Sequence, residues 1–271
     1  MEDDTITEAL ADFCTKLRYE DLPPEIAWWG RAGFLDTLGA AICGSADMSS
    51  ELVRVHGVGT NSSGPCTVVG TTLTAIPAAA ALANGYAAHV HDYDDTQYQV
   101  GVHMSASVGP AALAAGEAVN ASGPDLIAAY VAGFDVGCRL GRAGKFARHL
   151  SHQGIHATGY LGHFGSAAAA GRLAGLTPAQ MKVAFGISAS GAFGIMKAIG
   201  TMGKSQSTGN AAHHAVMAAF LAKDGFTAPT QMFDGEENIF TVCGLTTDPD
   251  ELLADLGVRF ELSTNVQKVY A

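Results

Sequence analysis

Charge is scarce in this chain of 271 residues, at 15% Asp, Glu, Lys and Arg. Basic charge is scarcer still, with 15 Lys and Arg against 26 Asp and Glu and a net charge of -11. A protein that grips a phosphate backbone needs a basic stripe, and none is present. Nucleic acid and anionic membrane are therefore excluded as expected partners. An anionic small molecule is not excluded, because a few cations inside a pocket decide that locally. Cysteine is also sparse. The five thiols, at 14, 43, 66, 138 and 243, are odd in number and include no C-x-x-C pair. That pattern excludes a disulfide framework and a zinc ribbon, and predicts reduced thiols in a cytoplasmic protein. The opening MEDDTITEAL lacks the apolar core of a secretory signal. Long apolar runs are missing too. Ala184 to Met202 is weakly charged but broken by Gly191, Gly194, Lys197 and Gly200, so it reads as a buried helix pair with a turn and not as a membrane span. Disorder is excluded by 48% hydrophobic content, and a collagen-like chain by 33 glycines without a three-residue period.

What is present is a dense helical period in small residues. Ile6, Leu10, Phe13, Cys14 and Leu17 share one face of a first helix. Pro23-Pro24 opens a second, expected to turn Ile26, Trp29 and Leu35 inward, and Ser49-Ser50 is expected to cap a short one through Leu52 and Val55. Cys66 to Gly70 has β character but is long enough only for an isolated hairpin. Helices are predicted from Pro77, over Ser107 to Val119, over Asp125 to Leu140 and over Thr158 to Leu173. Thr177-Pro178-Ala179-Gln180 is a capping box with Pro at the first helical position. A helix is expected from Asn210 to a glycine cap at Gly225, and another after the capping box at Asp248. Val258 to Leu262 reads as extended. Alanine and glycine at this density let helices approach closely, which predicts an all-α, multilayer fold of about ten helices with at most a few short strands.

Nine of the ten histidines fall between 89 and 214. His89-Val-His91-Asp92-Tyr93-Asp94-Asp95-Thr96, followed by His103, ends a helix in polar groups that are costly to bury unpaired. Three readings compete. The stretch is a divalent-metal site on His89, His91 and Asp92, although H-E-x-x-H is absent and no cysteine lies near. Or its aspartates cap neighbouring helices while the imidazoles fill the core. Or it is an acid/base and anion-binding cluster of tuned pKa. Ser151 to Gly159 reads as a loop opening a helix, where backbone N–H groups hold carboxylates or where Thr158 serves as a plain N-cap. Gly200 to Asn210 reads as a second such loop. Its Gly-Lys-Ser lacks the first glycine of a phosphate loop, since position 198 is Ala. Lys204 is left as either a carboxylate clamp or a solvated lysine.

The ordered stretches HVHDYDDT…H (His89 to His103), GFDVGCRLGRA (Gly133 to Ala143) and HQGIHATGYLGHFGSAAAAGRLAGL (His152 to Leu176), followed by AFGISASGAFGIM, GTMGKSQSTGNAA and GFTAPTQMFDGEENIF, resemble the MmgE/PrpD family. That family includes 2-methylcitrate dehydratase, cis-aconitate decarboxylase and an iminodisuccinate epimerase. The resemblance covers nearly the whole chain. It implies one large helical domain over residues 1–271, a smaller α+β lid domain expected after it and missing here, a homodimer, and chemistry without metal or cofactor on a small di- or tricarboxylate. It further implies catalytic roles for Asp92, His103 and Lys204, and substrate binding by Thr96, His156 and Lys268. The lysines and a protonated His103 or His156 are expected to pair with substrate carboxylates, while Asp92 or a neutral histidine moves the proton. Dehydration of a 2-methylcitrate-like acid is the first expectation, decarboxylation of an aconitate-like acid the second, epimerisation the third. A carboxylate-binding or dimerising module without turnover is the rival. The chain departs from the family's pattern at Met104, where Pro is usual, at Lys197, and at Glu236-Glu237-Asn238.

Overall fold

The computed structural model describes residues 5–60 and 62–269. Among them eleven α-helices alternate with short connections. They are α1 (Ile6–Lys16), α2 (Pro24–Ser45), α3 (Met48–Val53), α4 (Pro77–His89), α5 (Ser105–Val119), α6 (Gly123–Arg142), α7 (Phe146–His152), α8 (Ala157–Leu173), α9 (Pro178–Ala189), α10 (Gly203–Lys223) and α11 (Pro249–Leu253). Four two-residue strands make two antiparallel pairs. The first joins β1 (Cys66–Thr67) to β2 (Thr74–Ala75), and the second joins β3 (Thr96–Gln97) to β4 (Asn265–Val266). The all-α expectation holds, as does the isolated hairpin at Cys66.

Helix α8 is the centre of the molecule. Sixteen of its seventeen residues are buried, and it packs on α5, α6, α9 and α10. The packing is possible because small residues let backbones meet. A Cβ on Gly133 of α6 would sit 2.4 Å from the Gly165 carbonyl oxygen of α8, and one on Gly165 would sit 2.7 Å from that of Gly133. The same device joins α4 to α10, where a Cβ on Gly209 would lie 2.8 Å from the Leu82 carbonyl. These crossings draw the C-terminal end of α4 and the N-terminal ends of α8 and α10 toward one point. No described helix is long and apolar enough to cross a membrane.

A strap over residues 252–266 lies across α6 and β3. Arg139, fully buried on α6, is bound by Asp135 at 2.5 Å and donates to the carbonyls of Leu252, Ala254 and Arg259 at 3.0, 2.8 and 2.6 Å. Asp135 in turn accepts from the Glu261 N–H at 2.7 Å. Strand β4 then pairs with β3, with Thr96 opposite Val266. A guanidinium presents five donors in a fixed fork, so one side chain fixes a segment that has little helix or sheet of its own.

Several local expectations are corrected. Leu35 points outward and is 71% exposed. Helix α2 is apolar on more than one face, so periodicity alone does not choose the buried one. Asp47, not Ser49 or Ser50, caps α3, through the Ser49 N–H at 2.8 Å. The expected pair of helices between Ala184 and Met202 is a single helix, α9, followed by turns and one short 3₁₀ segment, because the glycines stop propagation. Val258 to Leu262 is turn and 3₁₀ structure, with the extended piece lying later, at β4. Helix α10 begins at Gly203 and not at Asn210. At Thr177 the capping box is formed as the sequence predicts. At Asp248 only the aspartate half is formed, and Glu251 accepts instead from the Gly144 N–H.

Candidate active site

Helix α4 ends at His89, and the chain then turns sharply through Asp92, which has φ of +57°. A left-handed conformation away from glycine is tolerated best by Asn and Asp, and costs on the order of 1 kcal/mol or more. Here it lifts the Asp92 carboxylate toward two ammonium groups. Lys204 Nζ lies 2.8 Å from Asp92 Oδ1, and Lys268 Nζ lies 3.1 Å from the same oxygen and 2.7 Å from the Asp92 carbonyl. Burial alone would raise the Asp92 carboxyl, but the two lysines overcome it and hold the group far below the usual carboxylate range. Lys204 stands in the first turn of α10, where the helix dipole disfavours a cation. An anion in front of it offsets that cost, and Asp92 supplies one. The solvated-lysine reading is thereby set aside: the Lys204 side chain is 16% exposed.

His103 packs behind Asp92. Its Nδ1 lies 2.9 Å from the Asp95 carbonyl and 3.1 Å from Thr96 Oγ1. A carbonyl only accepts, so Nδ1 carries the proton and Nε2 presents a lone pair. That Nε2 is 4.0 Å from Asp92 Oδ1. Burial lowers the pKa of His103 despite the opposing charge of Asp94. His156, the N-cap residue of α8, is held by the same logic. Its Nδ1 is 2.7 Å from Ser207 Oγ, whose own proton goes to the Lys204 carbonyl at 2.8 Å. His156 therefore donates through Nδ1 and keeps Nε2 free. Burial, aided by His89 and Lys204, lowers its pKa to about 4. Without substrate, burial thus disfavours the charged form of both imidazoles.

Sequence reasoning missed the buried partners of this cluster. His89 Nδ1 lies 2.8 Å from Asp94 Oδ2, with both side chains fully buried. The His89 ring packs between those of His103 and His156, with centroids 5.2 and 6.1 Å away. Burial alone would raise the Asp94 carboxyl, yet His89 and then His103 reverse this and hold it below its ordinary value. Asp95 behaves oppositely. Burial, helped by Asp94 and Asp36, lifts it to about 7 despite hydrogen bonds from Ser105 and Asn265 at 2.5 and 2.6 Å.

The capping reading of these residues fails. Thr158 is not the N-cap of α8; its Oγ1 accepts from the His103 N–H at 3.2 Å. The metal reading is altered. The described groups near enough to share a cation are His89, Asp92 and Asp94, without His91. Two ammonium groups already stand 2.8 and 3.1 Å from Asp92 Oδ1 and would face any cation placed there, while Asp94 Oδ2 takes the His89 N–H. That donor set fits anion exchange better than cation coordination.

Two clefts flank the cluster. One, of about 260 Å³, runs from Gly194 and Ile195 to Lys204, Ser207 and Asn210. The other, of about 330 Å³, lies between α2 and Lys268, beside Asp36, Gly39 and Tyr93. These sizes sit at the low end of the range for small-molecule sites. All six residues singled out in the sequence thus share one neighbourhood, and His103 and Lys268 are placed by contacts that no local pattern encodes.

The sequence profile of the MmgE/PrpD N-terminal domain matches residues 8–252. The chain is 29% identical to a cis-aconitate decarboxylase of Aspergillus terreus over 279 aligned residues, covering 98% of this chain and 57% of that protein. It is 32% identical to the cis-aconitate decarboxylase of Homo sapiens over 237 residues, covering 86% of this chain and 49% of that one. The Mus musculus counterpart is 31% identical over 235 residues, 85% of this chain and 48% of that one. The chain spans about half the length of the curated relatives it matches. With most of its residues inside the family profile, and that profile's helical domain reproduced in the fold, the chain belongs to the MmgE/PrpD family.

Proposed function

We propose that this chain is the substrate-gripping helical domain, residues 1–271, of a lyase that works on a small di- or tricarboxylate without a cofactor. One observation carries the reading: two ammonium groups share one carboxylate oxygen beside a neutral imidazole whose outer nitrogen is free. Asp92 holds the cations in place until a substrate carboxylate displaces it. Each new charged hydrogen bond then contributes ~1.5–3 kcal/mol. Asp92 is too acidic to be an effective base, so the proton falls to His103, with Thr96 and the Asp95 carbonyl fixing its ring. His156 faces the substrate from the α8 side.

The curated relatives move decarboxylation of a cis-aconitate-type acid ahead of dehydration of a 2-methylcitrate-like one. In such a decarboxylation a trianion and one proton give carbon dioxide and a dianion. The entering trianion raises the proton affinity of His103 Nε2, which takes a proton from solvent and delivers it to the carbon that gains electron density as the carboxylate leaves. The test is incubation of the full chain with cis-aconitate in D₂O. Carbon dioxide release with one deuteron in the product supports the reading. Tight binding without turnover returns the chain to the module reading.

A homodimer is the proposed assembly. Trp28, Leu35 and Ile42 stand seven residues apart on one exposed face of α2, at 53, 71 and 58% exposure. An apolar stripe of that kind fits a self-complementary contact. Sedimentation of Leu35→Glu against the parent chain tests it. Five unpaired cysteines support a cytoplasmic location.

A further inference from the structure

The His89–Asp94 pair lies behind the residues that meet substrate, and nothing in the reading above requires it. It is nevertheless the most deeply buried ionic contact near the site. Both side chains are fully excluded from solvent, and they meet at 2.8 Å. His89 Nε2 and Asp94 Oδ1 are buried with no hydrogen-bond partner. A protein retains such an incompletely satisfied pair at a stability cost, since an apolar pair of similar volume would fill the space without it. Its geometry suggests what is gained. Asp94 Oδ2 is shared, lying 2.8 Å from His89 Nδ1 and 3.8 Å from His103 Nδ1. The second distance is too long for a hydrogen bond, and the His103 Nδ1 proton is directed to the Asp95 carbonyl. Asp94 therefore acts on His103 through charge and not through a shared proton.

We infer that His89 and Asp94 are positioning residues: His89 keeps Asp94 ionised and aimed, and the buried Asp94 charge sets how readily His103 takes up a proton at Nε2. The inference rests on His103 being the proton carrier proposed above. Other groups also face that ring. Asp92 lies on the Nε2 side and Asp94 on the Nδ1 side, with His89 packed against the ring. Lys268 adds a nearby positive charge. Of the two carboxylates, Asp92 is half exposed and paired with two lysines, so its charge is largely cancelled. Asp94 has no lysine or arginine bonded to it, and its side chain is fully buried. Its charge faces the ring both before and after substrate takes the lysines from Asp92.

The experiment is ¹⁵N NMR titration of the imidazoles in the full chain, without substrate, beside pH-rate profiles with cis-aconitate. In Asp94→Asn the His103 midpoint is expected to fall by a unit or more, a tenfold or greater loss of proton affinity, while the Nδ1–H tautomer persists because the Asp95 carbonyl still fixes it. The rate loss is expected in kcat, at 10- to 100-fold, with KM within about threefold. His89→Leu removes the donor, so Asp94 takes up a proton and the His103 midpoint falls likewise. His89→Gln keeps a donor and restores most of the midpoint and of kcat. An unchanged His103 midpoint in Asp94→Asn overturns the proposal. A rise in His89→Leu overturns the part given to His89, because Asp94 would then hold its charge alone. If either variant fails to fold, the carboxyl ¹³C shift of Asp94 in the parent chain decides, and a protonated Asp94 at neutral pH overturns the inference. Absence of turnover in the parent chain, with the His103 shift present, removes the assigned reaction and leaves this electrostatic link standing.

Discussion

Two histidine clusters sit some way apart along the same central helix, and they differ in what surrounds them. At the start of α8, His156 joins His89 and His103 beside Asp92, Asp94, Lys204 and Lys268. Two turns further along, His163 meets His214 at 3.3 Å, with His213 packed on His214. No carboxylate or ammonium group is bonded to this second set among the described residues. His163 Nδ1 donates to the Gly159 carbonyl at 2.7 Å, so its Nε2 accepts from His214. Burial lowers His163 to about 4, much as it lowers His156. The imidazoles are equally perturbed, yet only one set faces cations that a substrate could use. A depressed pKa reports burial; a reactive site also needs opposed charges that a ligand can rearrange.

The sharpest way to break this comparison is to remove members of the charged cluster one at a time. Lys204→Ala or His103→Ala is expected to lower turnover at least a thousandfold with circular dichroism unchanged. Retained activity in both removes the site assignment. Next in size is the strap that delivers Lys268. Arg139→Met leaves Asp135 buried without its partner, and a loss of ~3–5 kcal/mol is expected in urea unfolding. A loss below 1 kcal/mol shows that the strap is held by other contacts.

A smaller effect is common to both clusters and sharpens what they share. His156 and His163 titrate near 4 when folded and near 6.5 when unfolded. The unfolded chain binds the extra protons, so stability is full above pH 6.5 and falls as pH drops toward 4. The expected loss is on the order of 2 kcal/mol per histidine, read from urea midpoints between pH 7 and 4.5. His163→Phe is expected to remove its own share of that slope without touching turnover. The smallest effect belongs to His214→Gln, whose amide can still donate to His163. Turnover within twofold and a stability change under about 1 kcal/mol are expected from the parallel assays. A tenfold rate loss would make the second cluster part of the working site.

The fold was legible wherever a boundary is written in local chemistry. Thr177, Pro178 and Gln180 start α9 where the sequence places it, and Pro77 starts α4. Boundaries set by tertiary contact were not. Helix α10 starts seven residues early because Lys204 is pinned by Asp92, a residue 112 positions away. Leu35 faces outward because α2 offers more than one apolar face and the packing of Gly30 and Gly33 on α6 chooses between them. In the site, Asp92, His103, His156 and Lys204 were legible through the ordered motifs. The protonation states were not, because they depend on which acceptor each Nδ1 meets. The His89–Asp94 contact was hidden for the same reason: its neighbours are assembled from α4, the following turn and α8.

The buried guanidinium of Arg139 gives this architecture a built-in order of events. Lys268 stands near the far end of the described chain, and its amine reaches Asp92 only through a segment moored at Leu252, Ala254 and Arg259 and aligned by β4 against β3. A growing polypeptide can stack its central helices before that mooring exists, but it has only one of its two amines in place. Docking of that segment and completion of the cation pair on Asp92 are thus one and the same folding event.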